Sequence, residues 1–292
     1  MPSMECTAET SILVIGACAL DRLLHVPFYP KEDGKILCHN TFQCGGGNAA
    51  NTASSLGRIS NSTALKQRKV ESKVSKSGEM VQCPPPIKIQ LLTKIGKDAI
   101  QHQLCNELRS YSVDLSSKLF LYGHEGSTSP TATVVVSRSE SHSRTCFFDT
   151  GTCGVLEKSD VENLDIDDLF LGATLLHSDS RHTDAAAIMA REAKKRGLTV
   201  SLDLERDRFS ESYDELIEHA TIIFGSGVEQ IKSFLKRRKN MDKNSFFFTS
   251  TDVQVGDELI WQRFEYYIDA ASIFHGLMKI TKNEGLELII TR

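Results

Sequence analysis

A chain of 292 residues with 40% hydrophobic content can bury a sizeable core, as one large α/β domain or two small ones. Its net charge of −4 gives no general attraction to nucleic acid or acidic membranes. No apolar run reaches the about 20 residues of a membrane span, and the first ten residues carry Glu5 and Glu9 with no basic stretch, so a cytoplasmic protein is expected.

Eight cysteines (Cys6, Cys18, Cys38, Cys44, Cys83, Cys105, Cys146 and Cys153) lack the close pairs of zinc or redox motifs, so reduced and mostly buried thiols are expected. The apolar run Ser11 to Gly16 suits a buried parallel strand, and Asp21 follows just past its carboxyl end, the edge where open α/β sheets bind ligands. Leu23 to Pro30 and Ile36 to Gln43 read as a hairpin joined by the polar turn Lys31-Glu32-Asp33-Gly34.

The hairpin leads into Gly45-Gly46-Gly47-Asn48-Ala49-Ala50-Asn51. Glycines allow close backbone approach, and the Ala-rich run after them favours a helix. Asn48 and Asn51, three apart, fall on nearly one face of its opening turn, each offering an amide donor and a carbonyl acceptor. Two carboxylates (Asp21, Asp33) and two amides (Asn48, Asn51) are therefore expected to converge, a set suited to a hydroxyl-rich ligand. A plain glycine turn capped by Asn48 is the competing reading.

Ser60 to Pro86 is polar, rich in Lys and Ser, and ends in Pro84-Pro85-Pro86, which predicts a disordered insertion. Ile87 to Thr93 alternates as a strand, and Asp98 to Ser110 has helical spacing. Thr131 to Ser137 and Thr145 to Phe148 suit a second hairpin. Ala173 to His177, Asp184 to Arg196 and Leu198 to Leu204 give strand, helix and strand, a right-handed βαβ unit. Ala220 to Phe224 is a further strand, Arg263 to Lys279 a helix and Leu286 to Thr291 a last strand.

Ala19-Leu20-Asp21, Tyr29-Pro30-Lys31-Glu32-Asp33 and Gly46-Gly47-Asn48-Ala49-Ala50-Asn51 together resemble the N-terminal motifs of the ribokinase-like (PfkB) sugar kinases. The order of the last two motifs is most similar to the ketohexokinases within that family. Further matches are Lys94-Ile95-Gly96-Lys97-Asp98, Ser143-Arg144-Thr145 before Asp149-Thr150, His177-Ser178-Asp179, and Val200 to Glu205, over about Ser11 to Glu229.

The resemblance implies one α/β domain over residues 1–292, with a mostly parallel central sheet, helices on both faces and a small β lid from segments 22–43 and 120–148. It implies that Asp21, Asp33, Asn48 and Asn51 hold sugar hydroxyls, that Gly46 and Gly47 let the backbone approach, and that Arg144 lies near substrate and phosphate. Ser226 and Glu229 occupy the place of an Asn-x-x-Glu motif for nucleotide and metal-bound water, from which Ser226 departs. ATP and Mg2+ are the implied cofactors, a ketohexose or pentose the implied substrate, and a homodimer through the lid the implied assembly.

The family's Asp-Thr-x-Gly-Ala-Gly-Asp motif supplies an anion hole and the catalytic base. No such run occurs in these residues, nor does a G-x-x-x-x-G-K-[ST] loop. The expectation is therefore a C-terminally truncated member with no catalytic base of its own, inactive in phosphoryl transfer. A non-catalytic sugar-binding or regulatory remnant, and a nucleoside kinase of the same fold, are the alternatives.

Overall fold

The computed structural model describes residues 10–71, 87–116, 119–137, 143–204, 210–226 and 287–291. The chain divides into two compact units, Met1–Thr174 and Leu175–Arg292.

The first unit starts with β1 (Ser11–Ile15), whose residues are nearly all buried, as its apolar run requires. Two strands of a separate sheet follow, β2 (Ala19–Val26) and β3 (Asn40–Gly46), antiparallel from Ala19↔Gly46 to His25↔Asn40. The connection between them, residues 27–39, is much longer than the expected four-residue turn. The Lys31 to Gly34 turn does form within it, closed by the Gly34 amide donating to the Lys31 carbonyl at 3.0 Å.

Helix α1 (Asn48–Glu71) then returns over the sheet strand β4 (Lys88–Ile95), which pairs in parallel with β1. Its buried positions Ala49, Ala50 and Ala53 are small, so the helix lies close against Val14, Ile89, Leu91 and Ile95 on one face of that sheet. Here the sequence expectation is corrected: residues 60–71, assigned to a disordered insertion, continue the helix. Ala64, Leu65, Lys66, Gln67 and Arg68 are strong helix formers without Gly or Pro among them, and propensity extends the helix where apolar patterning fails. The rest of the proposed insertion, residues 72–86, lies outside the described residues.

Helix α2 (Ala99–Ser110) packs beside α1 on the same core through Leu104, Cys105 and Leu108. Short strands β5 (Val113–Asp114) and β6 (Phe120–Tyr122) both pair in parallel with β4. The second hairpin forms as expected, β7 (Thr131–Ser137) against β8 (Arg144–Asp149), antiparallel. Because β2 and β7 pair in parallel from Leu20↔Thr131 to Val26↔Ser137, the two hairpins fuse into one four-stranded lid sheet of order β3-β2-β7-β8. Two short helices, α3 (Lys158–Glu162) and α4 (Ile166–Leu169), complete the unit. Asp160 of α3 pairs with Lys94 at 2.8 Å, on the β4 face opposite α1.

Strand β9 (Ala173–Ser178) starts two residues before the second unit, which carries the rest of it with α5 (Thr183–Lys195), β10 (Thr199–Leu204), α6 (Glu211–His219), β11 (Ile222–Ser226) and β12 (Glu287–Thr291). Strands β9 to β12 are parallel in sequence order. Ala185, Ala186, Met189, Ala190 and Ala193 form the buried face of α5, and Tyr213, Leu216 and Ile217 that of α6. Arg191 bridges the two helices to Glu215 at 2.8 Å. The sequence reading did not single out α6, which Ser210 caps by accepting from the Tyr213 amide. The helix expected over Arg263 to Lys279 lies outside the described residues.

The α/β class, the mostly parallel sheet and the small β lid are as expected. All six described cysteines are free thiols; Cys18, Cys105 and Cys153 are buried, and Cys146 is exposed.

Candidate functional site

The glycine run is where β3 ends and α1 begins. Gly47 adopts φ +90°, a left-handed conformation, and a side chain there would collide with the Ala17 carbonyl, so only glycine suits the turn. The Ala50 amide donates to that same carbonyl at 3.1 Å and the Asn51 amide to the Gly47 carbonyl at 2.9 Å. These bonds fix the opening turn of α1, with Asn48 and Asn51, against the link between β1 and β2.

Asp21 sits on that link's continuation, level with Cys44 on β3. A Cβ on Gly46 would fall on the Asp21 carboxylate itself, so the carboxylate occupies the space that this glycine leaves open. Burial pushes the Asp21 carboxyl above its ordinary value, and the Arg144 guanidinium draws it partly back. Arg144 opens β8 four residues before Phe148, the position level with Asp21 across Ala132, so only its long side chain carries charge toward the carboxylate.

The structure thus sets the Asp21 carboxylate against Gly46, next to the Gly47 turn from which α1 starts with Asn48 and Asn51. Gly46 and Asn51 line the same cleft as Glu107 and Arg58, and Arg144 acts on Asp21 at longer range. The structure does not bring Asp33 to the others by any bond. Asp33 is exposed, adopts φ 59° in the turn before Gly34, and its side chain makes no hydrogen bond or ion pair among the described residues. Sequence reasoning missed Glu107, whose carboxylate accepts from the Gly45 amide at 2.7 Å. The available signal was an acidic residue between Leu104 and Leu108 on the packing side of α2.

A model of the pfkB family carbohydrate kinases matches residues 9–230. The chain belongs to this family. A search of curated protein sequences returns no match. Among solved structures, the fold is similar to a ribokinase from Giardia lamblia (TM-score 0.63, 13% identity, 97% of this chain and 69% of that one). It is also similar to an Arabidopsis thaliana ribokinase complexed with ribose and ATP (TM-score 0.56, 16% identity, 96% and 70%). A Xylella fastidiosa fructokinase with bound ATP is a third (TM-score 0.56, 15% identity, 97% and 72%).

In this pfkB-family chain, Ser226 is the last residue of β11, and Glu229 lies outside the described residues. Among the described residues, no three His, Cys, Asp or Glu side chains cluster as a metal site. His177, a second family match, is buried, contacts the Ser201 hydroxyl through Nδ1 at 2.9 Å, and has its pKa pushed down by burial to about 4, so it is neutral at physiological pH. No helix among the described residues is long and apolar enough to cross a membrane.

Proposed function

We propose that this chain holds a sugar for ATP-dependent phosphorylation, with Asp21, Asn48 and Asn51 as its hydroxyl partners and Gly46 and Gly47 admitting it to the backbone. The observation that carries the reading is the Asp21 carboxylate lodged in the space left by Gly46, beside the turn that fixes Asn48 and Asn51. The Asp21 carboxylate would accept from sugar hydroxyls while the Asn48 and Asn51 amides donate and accept, the alternation that vicinal hydroxyls need. Asp33 and Arg144 complete the proposed set, Asp33 by movement of the 27–39 connection and Arg144 by neutralising phosphate charge.

The substrate class we favour is a ketohexose or pentose, the former because the Tyr29 to Asp33 and Gly46 to Asn51 motifs are most similar to those of the ketohexokinases. ATP supplies the phosphoryl group when bound, and Ser226 and Glu229 are the residues proposed toward it and its Mg2+. A cytoplasmic location and a homodimer through the lid belong to the same reading. The exposed Phe42, Phe147 and Phe148 on the lid strands, and Phe28 and Leu37 in the connection, favour the dimer.

Phosphoryl transfer needs a base and donors for charge developing on the transferred group, and removal of a single such donor costs about 100 to 1,000-fold in rate. The Asp-Thr-x-Gly-Ala-Gly-Asp run that supplies both in the family is not among these 292 residues. The 292-residue polypeptide is therefore expected to give no turnover in a coupled ADP-release assay with ATP, Mg2+ and D-fructose or D-ribose, and a polypeptide extended through that motif to be active. An inactive extended chain would remove the kinase reading; turnover by the 292-residue chain alone would show the catalytic machinery to be misplaced.

A further inference from the structure

Helix α2 is bonded to both hairpins of the lid, each time from a carboxylate of its own to a backbone amide at a strand end. Asp98, its N-cap, accepts from the Ser129 amide at 2.7 Å and the Ser129 hydroxyl at 2.8 Å, just before β7 starts at Thr131. Glu107, further along the helix, accepts from the Gly45 amide of β3 at 2.7 Å. Gly45, Leu20 and Thr131 are level across β3, β2 and β7, so the two carboxylates hold the same end of the lid sheet. The helix rises about 13 Å between them, enough to cross the two strand spacings of about 10 Å that separate β3 from β7.

Both attachments meet a need of the backbone. Strand β3 is the outer strand of its sheet, so its outward amides have no ladder partner, and the Ser129 amide precedes its own ladder. A carboxylate gives such an amide a charge-assisted acceptor, stronger than a neutral oxygen. A Cβ on Gly45 would stand 3.1 Å from the Glu107 carboxylate, so the glycine lets the helix reach the strand closely. The next residue, Gly46, leaves the space that the Asp21 carboxylate fills, and Gly47 makes the left-handed turn from which α1 starts. Moving Gly45 therefore moves the wall against which Asp21 rests.

We propose that α2 is a strut that sets the lid on the sugar site, and that Glu107 is a positioning residue for that site. It holds Gly45 so that Gly46 and the Gly47 turn keep Asp21, Asn48 and Asn51 in place. The proposal rests on the sugar reading above, and Glu107 acts through the Gly45 amide.

Two measurements on the 292-residue chain test it. The variants are Glu107→Met, which keeps the length and helix preference of the side chain without a strong acceptor, and Glu107→Gln, whose amide oxygen still accepts. The first measurement, amide hydrogen exchange, needs neither sugar nor ATP. Exchange at Gly45, Gly46 and Gly47 is expected to be about tenfold faster in Glu107→Met and close to the unsubstituted rate in Glu107→Gln, with no change in either at Leu91 and Leu92, buried in β4. The second, titration calorimetry with D-fructose and D-ribose, is expected to show the bound sugar held about tenfold more weakly by Glu107→Met and within about threefold of the unsubstituted affinity by Glu107→Gln. Exchange at the glycine run indifferent to Glu107→Met, sugar affinity unchanged by it, or Glu107→Gln no better than Glu107→Met would overturn the proposal. Faster exchange at Leu91 and Leu92 as well would show that Glu107 stabilises the whole fold, and would overturn it too. Binding of neither sugar by the unsubstituted chain would remove the sugar reading and this proposal with it; the exchange measurement tells that failure from a failure of the strut.

Discussion

Asp21 carries a cost that its proposed role explains. Burial raises its carboxyl pKa above the ordinary value of 3.8, so the folded state disfavours the ionised form. A raised pKa contributes stability that is present below the unfolded value and lost as pH rises through the folded one. Asp21→Asn keeps the shape and removes the charge, so it should raise the thermal midpoint near neutral pH, with the gain shrinking to nothing at about pH 3. A midpoint that falls at neutral pH would show that ionised Asp21 stabilises the fold. Gly46 and Gly47 act differently. Gly46→Ala puts a methyl group on the Asp21 carboxylate, and Gly47→Ala adds a left-handed strain and a clash with Ala17. The Gly47 change should cost more than about 1 kcal/mol in denaturant unfolding, and the Gly46 change should displace Asp21 and abolish sugar binding in a chain that still folds. The Gly47 turn and the approach of Asp21 to Gly46 were legible in the sequence, because a close approach and a tight turn demand glycine and leave a motif. Glu107 left only the faint signal of an acidic residue on the packing side of α2, because its partner is a backbone amide 62 residues away and a backbone partner adds no residue-type trace of its own.

At the level of elements, strands and helices with strong apolar patterning were placed well: β1, β4, α2, β7 and α5 fall within a residue or two of their expected bounds. The failures have physical causes. The β2 and β3 strands pair further toward the glycine run than alternation suggested, because Ala19 to Asp21 pairs with Cys44 to Gly46. Helix α1 outlasts its apolar face because helix formers continue it. What joins lid to body is clearest at Asp98. Its side chain caps α2 through the Gln101 amide at 3.1 Å and also accepts from the Ser129 amide at 2.7 Å and the Ser129 hydroxyl at 2.8 Å, just before β7. Burial pushes its pKa up, but these bonds outweigh that and hold it below the ordinary value. Such stability is present above the unfolded pKa and lost as pH falls through the folded one. Asp98→Ala should cost about 1 to 3 kcal/mol at neutral pH by denaturant unfolding, with a smaller penalty in acid. A penalty equal at both pH values would mean that the charge on Asp98 contributes nothing.

For the molecule as a whole, family membership and the α/β fold rest on long-range features, a parallel sheet and a lid in which β2 pairs with β7 over a hundred residues away. The sequence held these only through its family motifs, since periodicity alone does not say which strand pairs with which. The central claim is that the first unit carries a sugar site organised by Asp21 and the opening turn of α1. Titration calorimetry of D-fructose and D-ribose into the 292-residue chain tests it most directly, alongside Asp21→Ala, Asn51→Ala and Asp33→Ala. The account predicts saturable binding of one of these sugars, weakened by roughly 1 to 3 kcal/mol in each variant, the range for losing one partner in a buried polar site. Loss only in Asp21→Ala and Asn51→Ala would remove Asp33 from the site. Sugar binding unchanged in Asp21→Ala, or no binding of either sugar by a folded chain, would contradict the account.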